Sequence, residues 1–264
     1  MGCGQSVPRD PTRAAKHLDL CKDLLKKHQL EAAKPECDKT IALDPESDEA
    51  YNVRGLIEFV RAVDTERTLE IDQCLTGIDA EGTHKDLDTD LRAADADFEK
   101  AVAVHPDYAE ALSNRGSVHT LLEDYTAAQG YFEKALEHPE TLVDAGLTRS
   151  HLGWALFNEK KYVDAARELR QALQFQPKMC VATYRLGRVY FAREEWEKAA
   201  EQLQAVSDDP SCGSQEASLY LMQTKLAQGL VNDAREARDA CLKLSPKSCI
   251  AAQCVAYGGA LGKR

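Results

Sequence analysis

Residues 146–177 read GLTRSHLGWALFNEKKYVDAARELRQALQFQP, and the fold follows from how that stretch repeats elsewhere. Leu152-Gly153, Leu156, Ala165, Leu169 and Ala172 mark where two helices touch, and Pro177 stops the second of them. The same order returns from Cys180, with Leu186-Gly187, Tyr190, Ala199 and Leu203, and Pro210 one place early. It returns again from Ala109, with Leu112, Gly116, Ala128, Phe132 and Ala135, and Pro139 early. Weaker copies begin at Ala14 (Leu20, Leu24, Ala33, Pro45) and at Gln215 (Leu221, Ala234, Cys241, Pro246).

Counting one interrupted copy, six helical hairpins recur at a period near 34 residues, which is the tetratricopeptide (TPR) signature. The predicted fold is therefore all-α: a right-handed TPR superhelix, or α-solenoid, of six hairpins plus a C-terminal capping helix. The hairpins occupy 14–246, the cap and tail 247–264, and a tether 1–13. The interrupted copy is the second. Its first helix carries Tyr51, Gly55 and Phe59, and its second carries Ala94, Phe98 and Ala101 before Pro106. Gly55 and Pro106 are 51 positions apart where the template has 24, which leaves an insertion of 27 residues at about 60–86. Leu69, Ile71 and Leu75 give its start helical spacing, while Gly77, Gly82 and Thr83 read as a turn.

The rest of the composition removes whole classes of function. The net charge of -11 argues against nucleic acid, whose phosphates need a basic face. A content of 44% hydrophobic but only 6% aromatic residues suits cores built from Ala and Leu. No run of 18 apolar residues occurs. The catalytic and phosphate-binding signatures G-x-G-x-x-G, G-x-x-x-x-G-K-[ST], H-E-x-x-H and G-x-S-x-G are missing, so neither catalysis nor a small-molecule substrate or cofactor is expected. The seven histidines are dispersed and no C-x-x-C occurs, so no metal site is expected.

Met1-Gly2-Cys3-Gly4-Gln5-Ser6 admits two lipidation readings. Gly2 with Ser6 fits N-myristoylation, with Cys3 palmitoylated as a second anchor. Alternatively Gly2-Cys3 ends a bacterial lipobox, and Cys3 is the acylated first residue of the mature protein. Eight further cysteines, an even number, suit an oxidising compartment. Cys21 and Cys37 sit at positions 8 and 24 of one hairpin, where their side chains can approach. A disulfide between Cys212 and Cys249 would staple the C-terminal end. Cys21 and Cys241 are read in preference as small packing residues, since free Cys behaves as a small hydrophobe.

Function in a solenoid is sought on the concave surface, formed by template positions 2, 5, 9 and 12 of each first helix. These positions select Leu56 and Phe59, then Trp154 and Phe157, then Val181, Tyr184, Arg188 and Phe191 as a partner-binding groove. Trp, Tyr and Arg dominate binding hot spots because they bury large area and keep a polar handle. Such a groove suits an apolar helix or extended segment of a partner.

Six TPRs behind Cys3, the second-repeat insertion with Asp72-Gln73-Cys74-Leu75, Leu152-Gly153-Trp154-Ala155, the stretch Met179 to Leu186, Ser211-Cys212, and Ser248-Cys249 with Cys254 together carry a resemblance. The chain resembles the TPR pilotins of type IV pilus systems, the PilF/PilW/Tgl group, and within it most the Tgl version from gliding bacteria. The resemblance implies a lipoprotein of the outer membrane, on its periplasmic face, lipid-anchored through Cys3. Its implied partner is a secretin subunit (a PilQ-like protein), which it helps to assemble. The alternative is a lipid-anchored TPR adaptor for another cell-envelope complex.

Overall fold

Thirteen α-helices form among the residues described by this computed structural model, which are 8–72 and 74–259. They pair as α1 (Pro11–Lys26) with α2 (Leu30–Leu43), α3 (Asp48–Arg67) with α4 (Ile78–Val104), and α5 (Ala109–Leu121) with α6 (Tyr125–Ala135). The series continues with α7 (Ala145–Asn158) and α8 (Tyr162–Phe175), α9 (Cys180–Ala192) and α10 (Trp196–Asp208), α11 (Gln215–Ala227) and α12 (Val231–Leu244). α13 (Cys249–Gly258) follows as the cap. The fold is all-α and built of TPR hairpins, as the repeat predicts. No helix among the described residues is long and apolar enough to cross a membrane.

Local chemistry sets the helix ends. The side chains of Asp10, Asp124, Asp144, Ser214 and Ser248 each accept a backbone N–H three residues on, filling donors that a first turn leaves open. The turns inside the hairpins need one residue in the left-handed region. His28, Glu123, Lys160 and Glu194 take it at φ 57, 59, 63 and 57°, and Gly229 takes it without a Cβ penalty. An L-residue there is strained by about 1–2 kcal/mol, whereas glycine loses some of that gain through unfolded-chain entropy. Lys160→Gly is therefore expected to stabilise the protein by about 0.5 kcal/mol, read as a rise in the thermal midpoint. A lowered midpoint would contradict it.

The chain divides into two compact units, Met1–Thr65 with His84–Val143, and Glu66–Thr83 with Asp144–Arg264. In the first, Leu18, Cys21, Ala33, Cys37, Val53 and Ile57 form one cluster. Ala62, Leu91, Ala94, Phe98 and Val118 form the next. Arg54 ties α2, α3 and α4 together, its Nε and Nη2 donating to Asp97 at 2.8 and 2.6 Å and its Nη1 to Asp38 at 2.7 Å. Leu20 departs from the expected pattern and is 44% exposed. Its template position faces the preceding hairpin, as Arg115 shows by donating to Asp95 of α4 at 2.7 Å. No hairpin precedes α1 among the described residues, and no described helix takes the place that α4 takes beside Arg115.

In the second unit, α7 to α13 follow the same plan, and the inserted segment belongs with them. The insertion lengthens both helices of its hairpin, then turns through a π-helical segment (Thr68–Asp72). Leu69 is buried, and its carbonyl accepts the Leu75 N–H at 2.9 Å. Gly77 supplies the reversal at φ 66°, whereas Gly82 and Thr83, expected in a turn, lie inside α4. The cap is held by Gln215, whose Nε2 donates to the Cys241 carbonyl at 2.6 Å while its Oε1 accepts from Ser248 Oγ at 2.6 Å.

Among the described residues four disulfides join Cys21–Cys37, Cys74–Cys249, Cys180–Cys212 and Cys241–Cys254. The approach of Cys21 and Cys37 follows the template. The expected Cys212–Cys249 staple does not form: Cys212 reaches across one repeat to Cys180, and Cys249 takes Cys74 of the insertion. The reading of Cys21 and Cys241 as free packing residues is likewise corrected, because each is both buried and bonded.

Candidate functional site

Helices α7, α9 and α11 bring their side chains around a cavity of about 400 Å³ in the second unit. Four residues chosen by the repeat register, Trp154, Val181, Tyr184 and Arg188, line it. Arg185, Glu216, Ser214 and the Cys180–Cys212 disulfide complete the wall. Phe157 backs Trp154 in a stacked pair, with centroids 4.9 Å apart and planes at 11°. Tyr184 tilts against Trp154, with ring centroids 6.4 Å apart and planes at 37°. Phe191 meets Tyr220 and Trp196 edge-on at 5.2 and 5.5 Å. Trp154, Tyr184 and Phe191 are each partly buried, so their own helices do not enclose them.

Arg188 sits at the centre of these rings. Its guanidinium carbon lies 3.6 Å from the Tyr220 centroid and 5.5, 5.4 and 5.8 Å from those of Trp154, Phe157 and Tyr184. Nη1 donates to the Tyr184 hydroxyl at 2.7 Å, and burial pushes that phenol's pKa up. Arg185 lies over Trp154 at 5.6 Å and points one nitrogen at Ser150 Oγ (3.0 Å) and His151 Nδ1 (3.3 Å). Burial lowers the pKa of Arg185 to about 10, still cationic at neutral pH. His151 falls to about 3, by burial first and the Arg185 charge second, and so stays neutral. The Glu216 carboxyl is raised by burial, an effect that Arg188 opposes and Glu70 reinforces. Glu66 is raised by burial and by the carboxylates of Glu70 and Glu216. The inserted segment thus places acid beside the cavity.

Leu56 and Phe59 do not share this wall. They pack in the first unit against the cluster of Ala62, Leu91 and Phe98, where they serve the core. Cys3 lies outside the described residues. The register missed three participants. Glu216 occupies position 2 of the copy that starts at Gln215, so carrying the same register into the sixth repeat selects it. Arg185 and Tyr220 occupy position 6, which the register assigns to no surface, and nothing in their local sequence marks them. Asp209 lies beside the Cys180 and Cys212 sulfurs. Those sulfurs are bonded to each other and offer no thiolate to a metal.

Such a site can hold an elongated apolar ligand across flat rings with a cation beneath it.

Two tetratricopeptide-repeat family profiles match the chain, at residues 88–143 and 156–211. The chain is 27% identical to Neutrophil cytosol factor 2 of Homo sapiens over 117 residues, covering 38% of this chain. It spans 22% of that protein's length, about a fifth. Among solved structures it is similar to PilW, a widely conserved type IV pilus biogenesis factor, at TM-score 0.74 and 17% identity, covering 93% of this chain and 100% of that one. It is similar to PilF of Pseudomonas aeruginosa at TM-score 0.68 and 16% identity, covering 93% and 97%. It is also similar to YrrB, a TPR protein with an unusual peptide-binding site, at TM-score 0.54 and 20% identity, covering 83% and 97%. At these identities the likeness is one of fold.

Proposed function

We propose that this chain is a non-catalytic TPR pilotin of type IV pilus biogenesis, of the Tgl kind. In this reading a lipid on Cys3 holds it at the periplasmic face of the outer membrane. The groove at Trp154, Tyr184 and Phe191 grips an apolar segment of a secretin subunit and shields it until oligomerisation replaces that contact. Tethering both proteins at one surface raises the effective concentration of secretin there.

The observation that carries the reading is the set of aromatic and arginine side chains left partly uncovered around one cavity, the composition of binding hot spots. End-to-end similarity of fold to PilW and PilF supports the pilus context. Four disulfides support an oxidising compartment such as the periplasm.

The test is a Trp154→Ala, Tyr184→Ala double variant. Loss of two ring anchors is expected to weaken secretin binding by about 30-fold or more and to leave secretin monomeric in membrane fractions, with helicity unchanged. Full secretin multimers in that background would end the proposal. A Cys3→Ser variant that still incorporates labelled palmitate would remove the anchor from it. Co-purification with a peptidoglycan enzyme in place of a secretin would favour an adaptor of another envelope complex.

A further inference from the structure

The two arginines of the cavity lack a directly bonded carboxylate. Elsewhere, partly buried arginines are matched: Arg54 pairs with Asp97, Arg61 with Glu58, Arg115 with Asp95 and Arg149 with Glu168, all within 2.9 Å. Arg185 and Arg188 form no ion pair among the described residues. Arg185 spends one nitrogen on neutral acceptors, Ser150 and His151. Arg188 donates from Nη1 to a phenol, and its buried Nε has no acceptor. Glu216 lines the same cavity and, with Glu66 and Glu70 of the inserted segment near it, supplies acid there, yet no carboxylate bonds to either guanidinium.

Leaving charges in this state is costly. Removing an ion from water is unfavourable unless a counter-charge or hydrogen-bond acceptors are supplied. Cation–π contacts with Trp154 and Tyr220 offset part of that cost and satisfy no N–H donor. A carboxylate does both, since guanidinium presents a fork that matches its two oxygens.

We propose that this cavity receives an acidic side chain of the partner, Asp or Glu, carried one helical turn from a large apolar side chain that lies on Trp154 and Tyr184. The inference rests on the groove reading above and names the chemistry that the groove selects. Arg185 and Arg188 stand 5.6 and 5.5 Å from the Trp154 centroid. Side chains three or four apart on a helix are separated by about 5–6 Å, so one helical face can deliver carboxylate and apolar group together. The cavity of about 400 Å³ has room for one large side chain beside a carboxylate. Positive charge set inside an acidic molecule would also orient the incoming segment.

The experiment uses the full oxidised chain and three 15-residue helical peptides that share one Leu/Phe face. The first has an amidated C-terminus and Glu one turn before Phe. The second has Gln in place of that Glu, and the third is the Gln peptide with a free C-terminal carboxylate. Binding is read by the fluorescence anisotropy of labelled peptide. The Glu peptide is expected to bind at least tenfold more tightly than its amidated Gln counterpart, with the ratio falling below twofold in Arg185→Gln. Arg188→Gln serves as the second variant should Arg185→Gln fail to fold. Equal affinity of the Glu and Gln amides overturns the acidic-residue inference and leaves the groove reading standing. Preference for the free C-terminus over the Glu amide overturns it in favour of a terminal carboxylate. Binding by none of the three overturns it as well, while secretin assembly in the Trp154→Ala, Tyr184→Ala background judges the groove reading separately.

Discussion

Cys74→Ser together with Cys249→Ser is expected to cost the oxidised protein about 5 kcal/mol. The two cysteines are 175 residues apart in sequence, with their Cα atoms 4.7 Å apart. In the chain-entropy account, a cross-link stabilises by restricting the unfolded chain, and the effect grows with the logarithm of the loop it closes. The other three disulfides span 16, 32 and 13 residues and constrain far less chain. The double variant should also free the turn at 66–83 from the cap. Its urea midpoint should fall, and protease should cut within 66–83 at concentrations that spare the parent. An unfolding free energy within about 1 kcal/mol of the parent, with no new cleavage, would mean that packing of Leu69 alone secures the insertion.

The second large effect lies in the first unit. Phe98→Ala is expected to lose about 3–5 kcal/mol, because the ring is fully buried in the cluster of Ala62, Leu91, Ala94 and Val118. Its position is set by glycine. A Cβ on Gly55 would lie 2.7 Å from Phe98 Cε1 and 2.9 Å from Cδ1, so α3 and α4 approach this closely only while residue 55 has no side chain. Gly55→Val in the parent should therefore destabilise by overpacking, by about 1–3 kcal/mol. In the Phe98→Ala background the same change should recover part of the loss, since the valine occupies the vacated volume. Chemical denaturation of the four proteins measures the coupling. Additive losses would show that Gly55 and Phe98 do not share one packing site.

Hairpin, turn and cap were legible in the sequence for a local reason. Ala, Leu and Gly at fixed positions record helices that touch their nearest neighbours, and that contact repeats every 34 residues or so. The register also reached Trp154, Val181, Tyr184 and Arg188, because a helix face is a matter of spacing along one segment. It failed where a residue's role depends on something beyond its own hairpin. Leu56 and Phe59 hold template positions equivalent to those of the groove residues, yet the insertion's longer helices give them a core to join. Leu20 has the right spacing, yet it is 44% exposed with no preceding hairpin among the described residues.

The sequence by itself determined the all-α class, the six hairpins with their cap, the place of the insertion and one helical face of the candidate groove, since each is written in spacings of a few residues. Tertiary structure alone decided the disulfide partners, the compact unit to which residues 66–83 belong, the place of Arg185 in the cavity wall and the packing of Tyr220 against Arg188. A disulfide needs two Cα atoms within about 4.4–6.8 Å of each other, and separation along the chain carries no information about that distance. An arginine left without a carboxylate shows itself only once every neighbour that could have paired with it is in place.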